Sequence, residues 1–147
     1  MSIARKLSSV KKGPEGATTA FVVSFGTTDR LYSYDITDPS NITQISFVTV
    51  SPTPRAIALD VNNQLAYLSY VGGINIVDVS DPNNMSILYN FSDGIISSST
   101  QDLVLDLIND VAYIAGGDAV NYFDISDPSN LSRLGSYSGG KTNTSMW

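Results

Sequence analysis

From residue 20 onward, apolar side chains come in runs of five to eight, each bounded by Gly, Pro, Asn or Asp, and this pattern predicts strands throughout. The runs rich in aromatic and β-branched residues place strands at 20–25, 30–36 and 43–50, with Ser51-Pro52-Thr53-Pro54 forbidding continuation of the third. Two further sets of four follow, at 56–61, 65–70, 74–79 and 86–92, then at 102–107, 111–115, 119–125 and 132–137. The third strand of a set, as in Ile74-Asn75-Ile76-Val77, is nearly all apolar, which marks a strand covered on both faces. Upstream the period changes. Ile3, Leu7 and Val10 lie at helical spacing, with Ser2 placed to cap and Gly13-Pro14 to stop, so residues 1–19 read as a polar arm carrying at most a short, marginal helix.

One polar stretch is written three times. Asp35-Ile36-Thr37-Asp38-Pro39-Ser40-Asn41 returns as Asp78-Val79-Ser80-Asp81-Pro82-Asn83-Asn84 and as Asp124-Ile125-Ser126-Asp127-Pro128-Ser129-Asn130, at steps of 43 and 46 residues. Leu59 to Pro82 aligns without a gap on Leu105 to Pro128. Asp-Pro-x-Asn is turn chemistry. The Asp carboxylate accepts from a backbone N–H two residues on, Pro presets φ, and Asn tolerates a left-handed close. A repeat of this period with four strands is the size of a propeller blade.

Ile74-Asn75-Ile76-Val77-Asp78 and Val120-Asn121-Tyr122-Phe123-Asp124, whose last residue opens an Asp-x-Ser-Asp-Pro tail each time, resemble the pentapeptide and tail of the LVIVD-repeat β-propeller family. The resemblance covers residues 20–138 and implies a propeller; the family is functionally diffuse and associated mainly with surface and extracellular proteins. The expected fold is all-β, with about three four-stranded antiparallel blades at 20–50, 55–93 and 101–138, after an arm at 1–19 and before a tail at 139–147. The first blade is expected to be incomplete, since its opening strand is not evident. Three blades fall short of the four to eight that typically close a ring. The ring is therefore expected to be completed by oligomerisation or by missing blades, with the tail from Lys141 to Trp147 offered as a strand to a neighbour.

Charge sharpens the picture. Arg5, Lys6, Lys11 and Lys12 are half of the eight basic residues, and all precede the first acidic one. They are the expected partner-binding residues, anchoring the arm to an acidic surface. The rest of the chain carries all fourteen acidic residues, which repels nucleic acid at long range. No apolar run approaches the roughly 20 residues of a membrane span, and the first residues lack the apolar core of a secretory signal.

Chemistry narrows the function classes. With no His and no Cys, the commonest nucleophile–base pairs and the usual zinc sites cannot be built. The repeated aspartates Asp35/Asp38, Asp78/Asp81 and Asp124/Asp127 invite a Ca²⁺ reading, yet once-per-blade recurrence gives them a sufficient task in the turns. Asp60 and Asp106 also repeat. The Asn-x-Ser/Thr sequons at Asn41, Asn84 and Asn130 coincide with the same turns. Among eight tyrosines, Tyr67 and Tyr113 are expected in the core, while Tyr32, Tyr34, Tyr70 and Tyr122 suit rim surfaces. No catalytic residue, cofactor or metal is expected, and no ligand is indicated. The expected function is a non-enzymatic structural or interaction subunit that self-associates or joins a larger assembly, foremost a virion tail, fibre or decoration component. The alternative is a fragment of a secreted or cell-surface adhesin. A glycoside-acting enzyme using Asp carboxylates ranks last.

Overall fold

The computed structural model describes residues 3–12, 16–50, 52–94, 96, 100–116 and 118–139. They form twelve strands in three antiparallel sheets of four. The first sheet runs β1 (Ile3–Lys12), β2 (Thr18–Phe25), β3 (Arg30–Asp35) and β4 (Thr43–Thr49). The second runs β5 (Pro54–Asp60), β6 (Leu65–Tyr70), β7 (Gly73–Asp78) and β8 (Ser86–Ser92), and the third β9 (Thr100–Asp106), β10 (Val111–Gly116), β11 (Ala119–Asp124) and β12 (Ser132–Ser138). Each sheet is a meander in chain order. β5 lies beside both β9 and β1, so the leading edges of the sheets converge, as the inner strands of propeller blades do. The three sheets are blades stacked in sequence, and they do not close a ring.

The first blade is complete, which corrects the expectation of a missing strand. Ile3–Lys12 pairs with β2 from Ile3↔Phe25 to Lys12↔Thr18. It is neither helix nor free arm. Two register shifts, between Ala4 and Lys6 and between Leu7 and Val10, bring Leu7 opposite Val22 and Val10 opposite Ala20, two positions on one face of β2. Such bulges break the two-residue alternation by which strands are read from sequence. Pairing to β2 also satisfies backbone groups that a lone helix of this length would not hold in water. Ser2, Gly13 and Pro14, read as cap and stop, lie outside the described residues, as do Ser51 and Gly117. So does the tail beyond Gly139. With β1 in place, the first blade has no vacancy for that tail to fill.

Two apolar seams hold the stack together. Phe21, Val23 and Leu31 of the first blade pack with Ile57, Ala66, Leu68, Val77, Val79 and Met85 of the second. On its other face the second blade offers Ala56, Leu65, Tyr67, Ile74 and Ile76 to Leu103, Ala112, Ile114, Phe123, Ile125 and Leu131 of the third. The middle blade is thus covered on both faces: β7 is buried from Gly73 to Val77, as its nearly all apolar run predicts, and β6 is buried along its whole length as well. Burial of each large side chain in these seams is worth about 1.5–3 kcal/mol. Within the third blade Arg133 donates to the Asn121 side-chain oxygen (2.8 Å), and it lies 3.8 Å from the carboxylate of Asp93, just past β8 of the second.

The repeated turns are built alike. Asp38, Asp81 and Asp127 each accept a backbone N–H from two residues on, at 2.9 Å, and their carbonyl oxygens accept from Asn41, Asn84 and Asn130. Those asparagines do not take the left-handed conformation expected of them. Among the described non-glycine residues, positive φ falls at Gln64 (58°) and Asp110 (53°), at matching places in the β5–β6 and β9–β10 turns. The three-residue bond from Asp carbonyl to Asn N–H already closes the Asp-Pro turn at negative φ.

Candidate interaction surfaces

Stacking three blades covers four of the six sheet faces and leaves two open. Which faces these are follows from the repeat. Val104, Tyr113 and Val120 in the third blade occupy the places of Ala58, Tyr67 and Ile74 in the second, by the gapless alignment. Tyr67 and Ile74 are 1% and 0% exposed under the third blade, whereas Tyr113 and Val120 are 39% and 38% exposed. Tyr137, paired with Val120 as Phe91 is with Ile74, is 70% exposed. Tyr122 completes this face, its ring 6.3 Å from that of Tyr113 and lying over Gly135, where any side chain on residue 135 would meet the hydroxyl.

The first blade has the complementary open face. Tyr34, Ile36 and Ile42 stand where Val77, Val79 and Met85 stand in the second blade. Those three are buried in the seam; Tyr34 and Ile36 are half-buried and Ile42 is 59% exposed. Tyr32 lies between Tyr34 (6.0 Å between rings) and Phe47 (5.8 Å), and the Arg30 guanidinium sits 4.0 Å over the Phe47 ring. Burial, and then its neighbour Tyr32, raise the Tyr34 hydroxyl above the usual tyrosine pKa.

The sequence-predicted residues fall into three groups. Arg5, Lys6, Lys11 and Lys12 lie on β1, with Lys6, Lys11 and Lys12 in register with Val23, Thr19 and Thr18; their side chains lie outside the described residues. The aspartates are occupied by the backbone. Asp35, Asp78 and Asp124 accept the N–H of Thr37, Ser80 and Ser126 at 2.8–2.9 Å. Asp106 accepts from Ile108, Asn109 and the Asn109 side chain, and Asp60 does the same with Asn62 and Asn63. These bonds favour the charged form, and hold Asp35, Asp38, Asp106 and Asp124 below the ordinary carboxylate pKa. Among the described residues no three acidic side chains gather as a metal site would require, and no helix is long and apolar enough to cross a membrane.

The tyrosines depart from expectation at two positions. Tyr113 lies on an open face rather than in the core. Tyr70, assigned to a rim, is buried, with its hydroxyl donating to the Phe91 carbonyl oxygen (2.8 Å) or to Asn90 Oδ1 (2.6 Å) over the bare Cα of Gly73. Tyr32, Tyr34 and Tyr122 are on exposed surfaces as expected, but these are sheet faces and not loops.

No family model matches the chain, and no curated protein does. Solved structures do. The fold is similar to a chain of the COPII outer coat vertex on membranes (TM-score 0.65, 14% identity, 91% of this chain and 38% of that one). It is also similar to a hypothetical selenium-binding protein from Sulfolobus tokodaii (0.66, 10%, 91% and 41%). A third likeness is to the periplasmic gluconolactonase of Pseudomonas aeruginosa (0.51, 14%, 94% and 59%). At these identities the likeness is one of fold, that of a β-propeller. The chain spans less than two thirds of the length of each.

Proposed function

We propose that this chain is a non-enzymatic interaction subunit of the LVIVD-repeat type, contributing three contiguous blades to a larger protein assembly. The observation that carries the reading is the pair of open end faces. Each is the repeat-equivalent of a face that is dry inside the stack, and each presents aromatic side chains to water. Faces of this kind are interaction sites far more often than idle surface. The repeated aspartates Asp35, Asp38, Asp60, Asp78, Asp81, Asp106, Asp124 and Asp127 are engaged in turns, which supports the non-enzymatic reading. A virion tail, fibre or decoration protein is the foremost setting, by its acidic, Cys-free, Ser/Thr/Asn-rich composition.

Native mass measurement and electron microscopy of the protein from its own source test this. The expected result is a complex much larger than 15.7 kDa. A lone folded monomer in that setting overturns the reading. A second reading, a segment of a longer adhesin propeller, is favoured by the partial coverage of the similar chains; a longer open reading frame carrying further blades decides for it.

A further inference from the structure

We propose that the inner edge of the stack holds an oxyanion site, formed where a bulge recurs on the innermost strand of every blade. Its ligand is a small carboxylate or phosphate. The inference goes beyond the assembly reading and does not rest on it.

The bulges fall at one repeat position. In the first blade Ala4↔Ser24 is followed by Lys6↔Val23, so Arg5 is the extra residue. In the second, Pro54↔Tyr70 is followed by Ala56↔Ser69, which leaves Arg55. In the third, Thr100↔Gly116 is followed by Asp102↔Ala115, which leaves Gln101. Ser24, Tyr70 and Gly116 are themselves equivalent, since each pairs with the first residue of the next strand: Arg30, Gly73 and Ala119. β1, β5 and β9 are edge strands of their sheets, and β5 lies beside both of the others. That shared edge is the axial one of a propeller, where a channel runs. Blades added at either end of the stack, from a second copy or from a longer chain, leave these three positions on the axis.

Residue choice identifies the ligand. A bulge coils a strand and re-aims a side chain, which accounts for the irregularity but not for what occupies it. The chain has four arginines, and two of them take this one position, with glutamine at the third. Arg5 and Gln101 are placed by register; their side chains lie outside the described residues. Arg55 is the uncommitted arginine. Arg30 donates to Tyr32 and sits over Phe47, and Arg133 bonds Asn121 beside Asp93, although both leave Nε unbonded. Arg55 is half-buried, and its Nε is enclosed with no hydrogen-bond partner among the described residues. Two carboxylates at this end of the stack are engaged elsewhere. Asp29 accepts from the Gly26 N–H (3.3 Å) and the Thr53 hydroxyl (3.0 Å), and Asp102 accepts the N–H of Leu103 (2.9 Å). An oxyanion supplies the acceptor that a buried guanidinium requires, in the planar geometry that arginine matches. Sheets packed face to face lie about 10 Å apart, a spacing across which arginines on adjacent blades share one anion.

Isothermal titration of the purified chain with sodium phosphate, and separately with sodium succinate, tests this against sodium chloride of equal ionic strength. The expected result is saturable binding of at least one of the two, with Kd on the order of 1 mM or tighter. Phosphate alone, or succinate alone, then names the class of ligand. Arg55→Gln is expected to weaken binding about tenfold or more. Lys11→Gln makes the same change of charge at the other end of β1, in register with Thr19, and leaves binding unchanged. Gln101→Lys tightens binding severalfold, a gain that a misfolded chain cannot imitate. If neither anion saturates above chloride, the site does not exist. Binding that survives Arg55→Gln, or that Gln101→Lys fails to tighten, places the anion elsewhere and overturns the assignment. A monomeric mass in the native source would end the assembly reading and leave these titrations unaffected.

Discussion

The Ser33 hydroxyl donates a 2.6 Å hydrogen bond to the carbonyl oxygen of Pro82, joining β3 of the first blade to the Asp-Pro turn of the second. Ser33 Oγ in turn accepts the Ser46 N–H at 3.1 Å, at the register shift where β3 and β4 slip past one another. One buried hydroxyl thus fixes both a bulge within a blade and the seat of the next blade's turn. Ser33→Ala removes both bonds and leaves two backbone groups short of a partner, a cost of about 1–3 kcal/mol. Urea unfolding monitored by tyrosine fluorescence measures it. A change below about 0.3 kcal/mol would show that the Pro82 turn does not depend on this anchor.

Phe91 and Phe123 give the seam between second and third blades its aromatic contact, and Phe123 is wholly buried. Phe123→Ala is expected to cost about 3–5 kcal/mol, by lost burial plus the cavity left behind. The repeat-equivalent change on the open faces behaves differently. Tyr137→Ala, in dilute monomer, shifts stability by no more than about 0.5 kcal/mol, because its ring is mostly in water. Equal losses at both sites would mean that Tyr137 is already covered in the isolated chain.

Much of this was legible in the residues. Eleven strands lie within a few residues of their predicted places, because Asp-Pro turns and β-branched runs set them locally. β1 was missed for a reason visible in its register: two bulges change the phase of Ile3, Leu7 and Val10, and the resulting spacing imitates a helix. Tyr67 and Tyr113 show a second limit. They are the same residue at the same place in the repeat, yet one is buried and the other is not. Repeat position fixes where a side chain points, but cover depends on whether another blade follows. Tyr70 was misplaced because its burial depends on Gly73, whose missing side chain admits the ring.

Gln64 and Asp110 hold the left-handed conformation at equivalent turn positions, and their carbonyl oxygens accept the N–H of Val79 and Ile125 at 2.9 Å. That backbone bond does not need the side chain, while the Cβ makes the conformation costly. Gln64→Gly and Asp110→Gly are each expected to raise stability by about 0.5–1 kcal/mol, relief of left-handed strain exceeding the added freedom of the unfolded chain. Thermal unfolding of the two single variants and the double checks this. A loss of stability in both would show that the side chains contribute more than the strain.

Stability is expected to fall at both ends of the pH scale, for different groups. Asp35, Asp38, Asp106 and Asp124 have folded pKa values lowered, first by side-chain and then by backbone hydrogen bonds. A lowered carboxylate contributes stability that is present above its unfolded value, near 4, and is lost as pH falls through the folded value. The acid limb therefore lies below about pH 4. Tyr67 has the opposite sign. Burial, then the charges of Asp60 and Asp110, raise its pKa to about 12. Its contribution is whole below the unfolded value near 10 and is lost as pH rises from there to about 12. Urea midpoints measured from pH 2.5 to 12 should show both limbs. Tyr67→Phe should flatten the alkaline one and leave the acid one unchanged; Asp35→Asn with Asp124→Asn should do the reverse. If Tyr67→Phe left the alkaline limb intact, the hydroxyl at the second seam would not be the group that titrates there.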